Sequence, residues 1–273
     1  MDSRIRFSLL LCTYAKDNPL HLAQCLESIC RQTILPDELL IVKDGPLTDA
    51  LENVITALRF QNKITVVQLP KNVSQGLARA KGMAVAKHEW VALMDSDDVC
   101  VPNRFEKQLT LLKQYPDAVL TGGQIIEYDD IPGRVVAKRR VPIKHDDIVR
   151  RAKYRNPFNT MTVMLNRQAA LKAGNFKYFL NFEDYDLWAR MMANGAICAN
   201  HTDVLVCVRI GNGMVARRRG LTYIKTEWCM QCQLKKLKMI NIPLFLRNVL
   251  VRIPVRLLPK KLLYFMYKHF ARS

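Results

Sequence analysis

Asp95, Ser96, Asp97 and Asp98 bring three carboxylates into four residues, directly after the apolar run Trp90 to Met94. Carboxylates held this close repel one another unless water or a cation compensates. A divalent metal, Mn2+ or Mg2+, bridging to a diphosphate is an economical answer, because hard cations take carboxylate and phosphate oxygens together and keep positions open for substrate. The same acids equally suit a turn capping a helix from Asn103 onward. Asp44, followed by Gly45 and Pro46, ends another apolar run. There a carboxylate accepts hydrogen bonds from a base or ribose, or simply shapes an Asp-Gly-Pro turn. Thr13 and Tyr14 end the first run and offer backbone amides and a ring to a nucleotide, or plain strand-end packing. Glu183 and Asp184 open a helical stretch that continues through Asp186, Leu187, Trp188 and Arg190. Acids in a first turn complement the helix dipole, and a carboxylate placed there is also a candidate general base. Arg217, Arg218 and Arg219 follow a Gly-Asn-Gly turn and form either a solvated face or a bidentate phosphate site.

Positioning these groups requires a sheet. Apolar runs of strand length at Phe7 to Cys12, Leu39 to Lys43, Ile64 to Gln68, Trp90 to Met94 and Ala118 to Gly122 alternate with helical patterns at Leu20 to Arg31, Asp49 to Phe60, Gln75 to Ala86 and Asn103 to Tyr115. This alternation predicts an α/β fold with a mostly parallel sheet covered by helices on both faces. Such sheets bind ligands at the carboxyl ends of their strands, so Thr13 to Lys16, Asp44 and Asp95 to Asp98 are expected to share one crevice. Gln124 to Val141, around Pro132 and Gly133, reads as a hairpin. Helices are expected at Asp146 to Ala152, Arg167 to Ala173 and Glu183 to Asn194, and strands at Thr162 to Leu165, near Ile197 and near Leu205. One domain is expected over residues 1–220.

Residues 221–273 differ. From Leu234 to Ser273 there are ten Lys or Arg and no acid. Pro243, Pro254 and Pro259 are expected to divide this basic amphipathic tail into short helices, and its composition suits peripheral attachment to an anionic membrane. No apolar stretch reaches the ~18 residues of a spanning helix, and the first run is too short for a signal peptide's core. A cytoplasmic protein, peripheral on the inner membrane, is expected.

The formal charge of +18 over 273 residues calls for an anionic partner. A nucleic-acid binder is one class, but the basic residues crowd the tail among large apolar ones, without the aromatic and glycine patterns of single-strand binders, so no nucleic acid is expected. A nucleotidyltransferase is another, but it wants a glycine-rich phosphate loop after the first strand, and Thr13 to Pro19 holds no glycine. The eight cysteines lack a framework of spacings and read as reduced thiols; Cys229 and Cys232 form a CxxC with no second pair nearby.

The order of the pieces resembles the family 2 glycosyltransferases of the GT-A fold, most closely those of amylovoran and other bacterial exopolysaccharide or O-antigen assembly. They are Cys12, Thr13 and Tyr14; Gln32, Pro36 and Glu38; Asp44 with Gly45; Asn72 through Gly82; the MDSDD run at Met94 to Asp98; Pro102 with Arg104; Asn156 with Pro157; and the FEDYDLW run at Phe182 to Trp188. The resemblance implies an inverting transfer from a UDP-sugar to a lipid-linked saccharide. By it, Asp44 contacts uracil, Arg79 faces the nucleotide side, and Thr13, Tyr14, Asp95 and Ser96 complete the donor site. Asp95 and Asp97 hold the metal, Asp97 as direct ligand; Asp184 is the catalytic base; Glu183, Arg218 and Arg219 support it or bind acceptor. The chain departs from that pattern at Ser74, where the group has glycine, at Ala80, where it has asparagine, and at Thr160 and Met161, where it has His-Pro.

Overall fold

The computed structural model describes residues 4–129, 135–210 and 220–257. Its first half alternates as expected: β1 (Phe7–Thr13), α1 (Pro19–Cys30), β2 (Glu38–Lys43), α2 (Asp49–Ala57), β3 (Lys63–Gln68), α3 (Gln75–Val85) and β4 (Trp90–Asp95). A two-residue strand, β5 (Val99–Cys100), precedes α4 (Arg104–Gln114), β6 (Ala118–Tyr128) and β7 (Val135–Arg139). There follow α5 (His145–Ala152), a 3-10 turn (Thr160–Thr162), β8 (Met164–Asn166), α6 (Arg167–Lys172), α7 (Glu183–Ala193) and β9 (Ile197–Arg209). Helices α8 (Gly220–Lys236) and α9 (Ile242–Leu257) end the described chain.

One sheet runs in the order β3-β2-β1-β4-β8-β6-β9-β5, with β7 paired to β6. The four strands of the first half are mutually parallel, whereas β8 is antiparallel to both of its neighbours. Alternation along a strand sends successive side chains to opposite faces. Leu9 and Leu11 therefore pack under α1, α2 and α4 with Leu22, Leu51 and Phe105. Leu10, between them, packs on the other face with Ala78 and Met83 of α3 and Trp188 of α7. Arg104 is fully buried, its guanidinium donating to the Leu93 carbonyl at 2.8 Å and to Gln108 at 3.0 Å.

Several boundaries differ from the sequence expectation. The strands expected near Ile197 and Leu205 are one 13-residue strand. Register shifts opposite Gly122 to Ile125 of β6 leave the extra residues on β9, the polar His201 to Asp203 among them, so the chain continues without leaving the sheet. Likewise β6 runs past Gly122 to Tyr128 before pairing antiparallel with β7 in the expected hairpin. Thr162 belongs to the 3-10 turn, and β8 begins only at Met164. Pro254 does not divide the tail: it lies inside α9. Its face is exposed, as is Leu250 one turn earlier, so water can take the carbonyl that proline leaves without a donor. Pro259 lies outside the described residues.

The described part of the tail packs on α7. Phe182, Tyr185 and Ala189 of the α7 region meet Tyr223, Met230 and Leu234 of α8 and Phe245 of α9. Beneath them Glu227, fully buried, receives both Arg252 nitrogens at 2.5 and 3.0 Å, with Arg256 at 3.6 Å. Arg252 also donates to the Tyr154 carbonyl, and Asn248 to that of Lys153 at 2.9 Å.

Candidate active site

Parallel pairing aligns the carboxyl ends of β1, β2 and β4: Thr13 stands opposite Lys43, Cys12 opposite Asp95, and the Asp44 amide donates to the Thr13 carbonyl at 2.8 Å. Asp17, which the sequence reading passed over, ties two of these ends together. Its Oδ2 accepts from Thr13 Oγ1 at 2.9 Å, Ser96 Oγ at 2.7 Å and the Tyr14 amide at 3.3 Å. An acid four residues after Thr13, just before the Asn-Pro that opens α1, was the available signal. Asp44 is buried and accepts from the Val73 amide at 2.7 Å and Asn72 Nδ2 at 3.0 Å, fixing the segment that leads into α3. Tyr14 stays exposed beside it.

That segment carries backbone strain. Ser74, which caps α3, sits at φ 94° and ψ 152°, a region nearly reserved for glycine. Ser74→Gly removes strain of about 1–3 kcal/mol at an entropic cost of about 0.5–1 kcal/mol. The expected outcome is a Tm about 2–4 °C higher, read by calorimetry. Gly76 next to it lies so close to Glu183 that an added Cβ would meet the Glu183 Cβ at 2.8 Å and the Lys177 carbonyl at 2.6 Å. This close approach brings α3 against the start of α7.

Arg79, one turn further along α3, is buried. It donates to Asp95 Oδ1 at 2.6 Å, and its other nitrogen lies 3.9 Å from Glu183 Oε1. Gln75 also reaches Asp95 Oδ1, at 3.2 Å. Asp184 is held from three sides: Asn156 Nδ2 donates to its Oδ2 at 2.9 Å, Thr160 Oγ1 donates to the same oxygen, and the Tyr185 amide donates to Oδ1 at 2.6 Å. Thr160 thus supplies a hydroxyl to this carboxylate at the position where the chain departs from the expected His-Pro. Asp186 turns away, buried against Arg190 at 2.7 Å.

A cavity of about 1010 Å³ gathers Arg79, Asp95, Glu183 and Asp184 on its walls. Thr13, Tyr14, Asp44, Ser96 and Asp97 do not line it; they stand at the carboxyl ends of β1, β2 and β4. Arg217, Arg218 and Arg219 lie outside the described residues.

The strand-end acids fit a divalent cation. Asp97 keeps one edge exposed, yet the protein enclosing its other sides, followed by the Asp95 charge, pushes its carboxyl up to about 6. Burial, then Asp97 and Asp95, also raises Asp98, which does not cap α4 but accepts from the Arg209 amide at 3.0 Å. With Asp95 already paired to Arg79, the surplus negative charge gathers at Asp97. Among the described residues no cluster of three metal-ligating side chains occurs.

Burial, and then the Asp184 charge, push the Glu183 carboxyl up to about 7 from 4.5, against the opposing pull of Arg79. A carboxyl raised in the folded state contributes stability that is full below the unfolded value and is lost as pH climbs to the folded one. Glu183→Gln keeps the neutral form at every pH. It is therefore expected to match the parent near pH 4.5 and to exceed it by on the order of 2 kcal/mol at pH 8, measured by denaturant melts.

The family model for glycosyl transferase family 2 matches residues 8–174. Amylovoran biosynthesis glycosyltransferase AmsE of Erwinia amylovora is 40% identical over 96% of this chain and 98% of its own length. The UDP-Gal:alpha-D-GlcNAc-diphosphoundecaprenol beta-1,3-galactosyltransferase of Escherichia coli is 33% identical over 99% and 98%. Among solved structures, S. aureus TarS 1-349 in complex with UDP-GlcNAc superposes with a TM-score of 0.67 at 17% identity, over 98% of this chain and 74% of that one. Of the longer TarS chain, this chain spans 43%. With its curled, mostly parallel sheet and its strand-end acids, the chain belongs to the family 2 glycosyltransferases of the GT-A type.

Proposed function

We propose that the enzyme transfers a hexose or N-acetylhexosamine, with inversion, from a UDP-sugar to a hydroxyl of a lipid-linked saccharide in surface polysaccharide assembly. The observation that carries this is the Asp184 carboxylate, oriented by Asn156 and Thr160 in a cavity that the Arg79–Asp95 pair also lines. Asp184 takes the proton of the acceptor hydroxyl as its oxygen attacks the anomeric carbon. The bond from that carbon to the diphosphate breaks, and its electron pair leaves with UDP. Asp44 and the strand-end amides around Thr13, Tyr14 and Ser96 hold the nucleotide. Arg79 keeps Asp95 in place, and Glu183 closes the gap between donor and base. Asp95 and Asp97 would hold Mn2+ or Mg2+, which would supply positive charge to the departing diphosphate. The names of the Escherichia coli and Erwinia amylovora relatives support the UDP-sugar, the diphosphate-linked acceptor and the polysaccharide setting. A donor screen that measures nucleoside diphosphate release with a diphosphate-lipid-linked sugar tests the reading. Acceptor-dependent release from one UDP-sugar is expected; no release from any donor would overturn it.

No helix among the described residues is long and apolar enough to cross a membrane. We place the enzyme on the inner face of the cytoplasmic membrane through α9, whose Ile242, Leu246, Leu250 and Leu257 fall on one helix face and are all more than half exposed. Leu246→Gln with Leu250→Gln is expected to lower partition onto phosphatidylglycerol vesicles several-fold at unchanged Tm. Partition equal to the parent's would remove α9 as the anchor. Truncation before α9 is the wrong experiment, because it strips Phe245 and Asn248 from the core.

A further inference from the structure

The cavity that holds Asp184 extends well beyond the transfer site. Away from Arg79 and Asp95 its wall passes to α5, the loop after it, and α9, where Arg151, Arg155, Arg247 and Arg252 line it. Glu227, the buried acid packed against Arg252, is committed to Arg252 and Arg256. Arg151 and Arg155 have no acidic partner among the described residues, and the half-buried Arg151 keeps its Nε enclosed without a hydrogen bond. Burial and the neighbouring Arg155 charge both lower the Arg151 pKa. Arg247 stacks on Tyr154 at 5.2 Å, which holds its fork at the same rim. Val251 and Val255 add apolar surface beside these cations.

Holding guanidinium groups together without a counter-charge is unfavourable, and an anion between them offsets the repulsion. The planar fork suits phosphate oxygens above all. We infer that this wall is a subsite for a phosphate or diphosphate ester on the acceptor, gripped by Arg151, Arg155 and Arg247, with Val251 and Val255 taking the first carbons of its lipid. The inference rests on the reading above that the acceptor is lipid-linked, and adds where the linkage sits. An anchored phosphate would present the attached sugar's hydroxyl to Asp184 and make the C-terminal helices part of acceptor recognition. A bilayer headgroup offers the same phosphate chemistry, so the experiment must separate the two sources.

The full chain, saturated with UDP to fill the donor crevice, is titrated with undecyl diphosphate and, as the neutral counterpart, undecyl glucoside; UDP affinity is measured separately beforehand. Arg155→Gln and Arg247→Gln change exposed side chains and carry little folding risk; Arg151→Gln completes the set. Each is expected to weaken undecyl diphosphate binding by about tenfold or more, on the scale of a lost charge-assisted contact. Undecyl glucoside binding and UDP affinity are expected to stay at the parent's level, as is the partition of Arg155→Gln onto phosphatidylglycerol vesicles. Unchanged affinity for undecyl diphosphate in Arg155→Gln and Arg247→Gln would overturn the inference. So would vesicle partition of Arg155→Gln that falls in step with it, which would assign the arginines to the bilayer. If UDP itself fails to bind the parent chain, the donor reading falls, while the comparison of undecyl diphosphate with undecyl glucoside still decides the subsite.

Discussion

Asp184→Asn is expected to lose ~10²-fold or more in turnover at saturating donor and acceptor, while binding UDP and Mn2+ nearly as the parent does. The substitution keeps size and polarity. Asn156 and Thr160 can still donate to the remaining side-chain oxygen, while the amide nitrogen replaces Oδ1 and forfeits only the bond from the Tyr185 amide. What disappears is the capacity to accept the acceptor's proton. Glu183→Gln should cost much less, because Glu183 faces Arg79 rather than the Asn156 and Thr160 pair. Turnover of Asp184→Asn equal to the parent's, in a steady-state assay of UDP release, would leave Asp184 with only its role at the start of α7.

Asp97→Ala is expected to abolish transfer together with Mn2+-dependent UDP binding, with no loss of thermal stability. The two halves belong together. The enclosing protein and the Asp95 charge make the Asp97 carboxylate less favourable than in water, so its removal relieves the fold of repulsion. Exhaustive EDTA treatment should reproduce the loss in the parent enzyme, and added Mn2+ should restore it there but not in the variant. Full activity of the chelated parent would sink the assignment. Asp95→Ala makes a poorer test, since it also frees the buried Arg79 guanidinium.

Periodicity made the first half of the chain legible, because each strand of the parallel sheet is a short apolar run and each covering helix shows one apolar face. The limits came where pairing partners, not local pattern, decide structure. β9 reads as two strands because His201 to Asp203 interrupts its apolar character, and only the bulged pairing with β6 shows that the strand continues. Asp95, Asp97, Glu183 and Asp184 stood out as acids grouped at element ends. Asp17 did not, since one acid in a turn is ordinary until the Thr13 and Ser96 hydroxyls are seen converging on it. Ser74 and Thr160 registered only as departures from a pattern. The strain at Ser74 and the bond from Thr160 to Asp184 show only in three dimensions.

The buried Glu227 clasp has a bearing on how such enzymes can be recombined. Through Arg252 and Asn248 it fastens the C-terminal helices to the carbonyls of Lys153 and Tyr154, immediately upstream of the asparagine that orients Asp184. A chimaera cut at the end of the family match, after residue 174, would graft a foreign helix pair beneath a resident loop. The Glu227–Arg252 pair would travel whole with the graft, but Asn248 and Arg252 would have to meet the resident Lys153 and Tyr154 carbonyls in a foreign geometry, and each buried bond missed would cost about 1–3 kcal/mol. The transplantable cassette is instead the discontinuous set of residues 151–160 and 220–257, exchanged together.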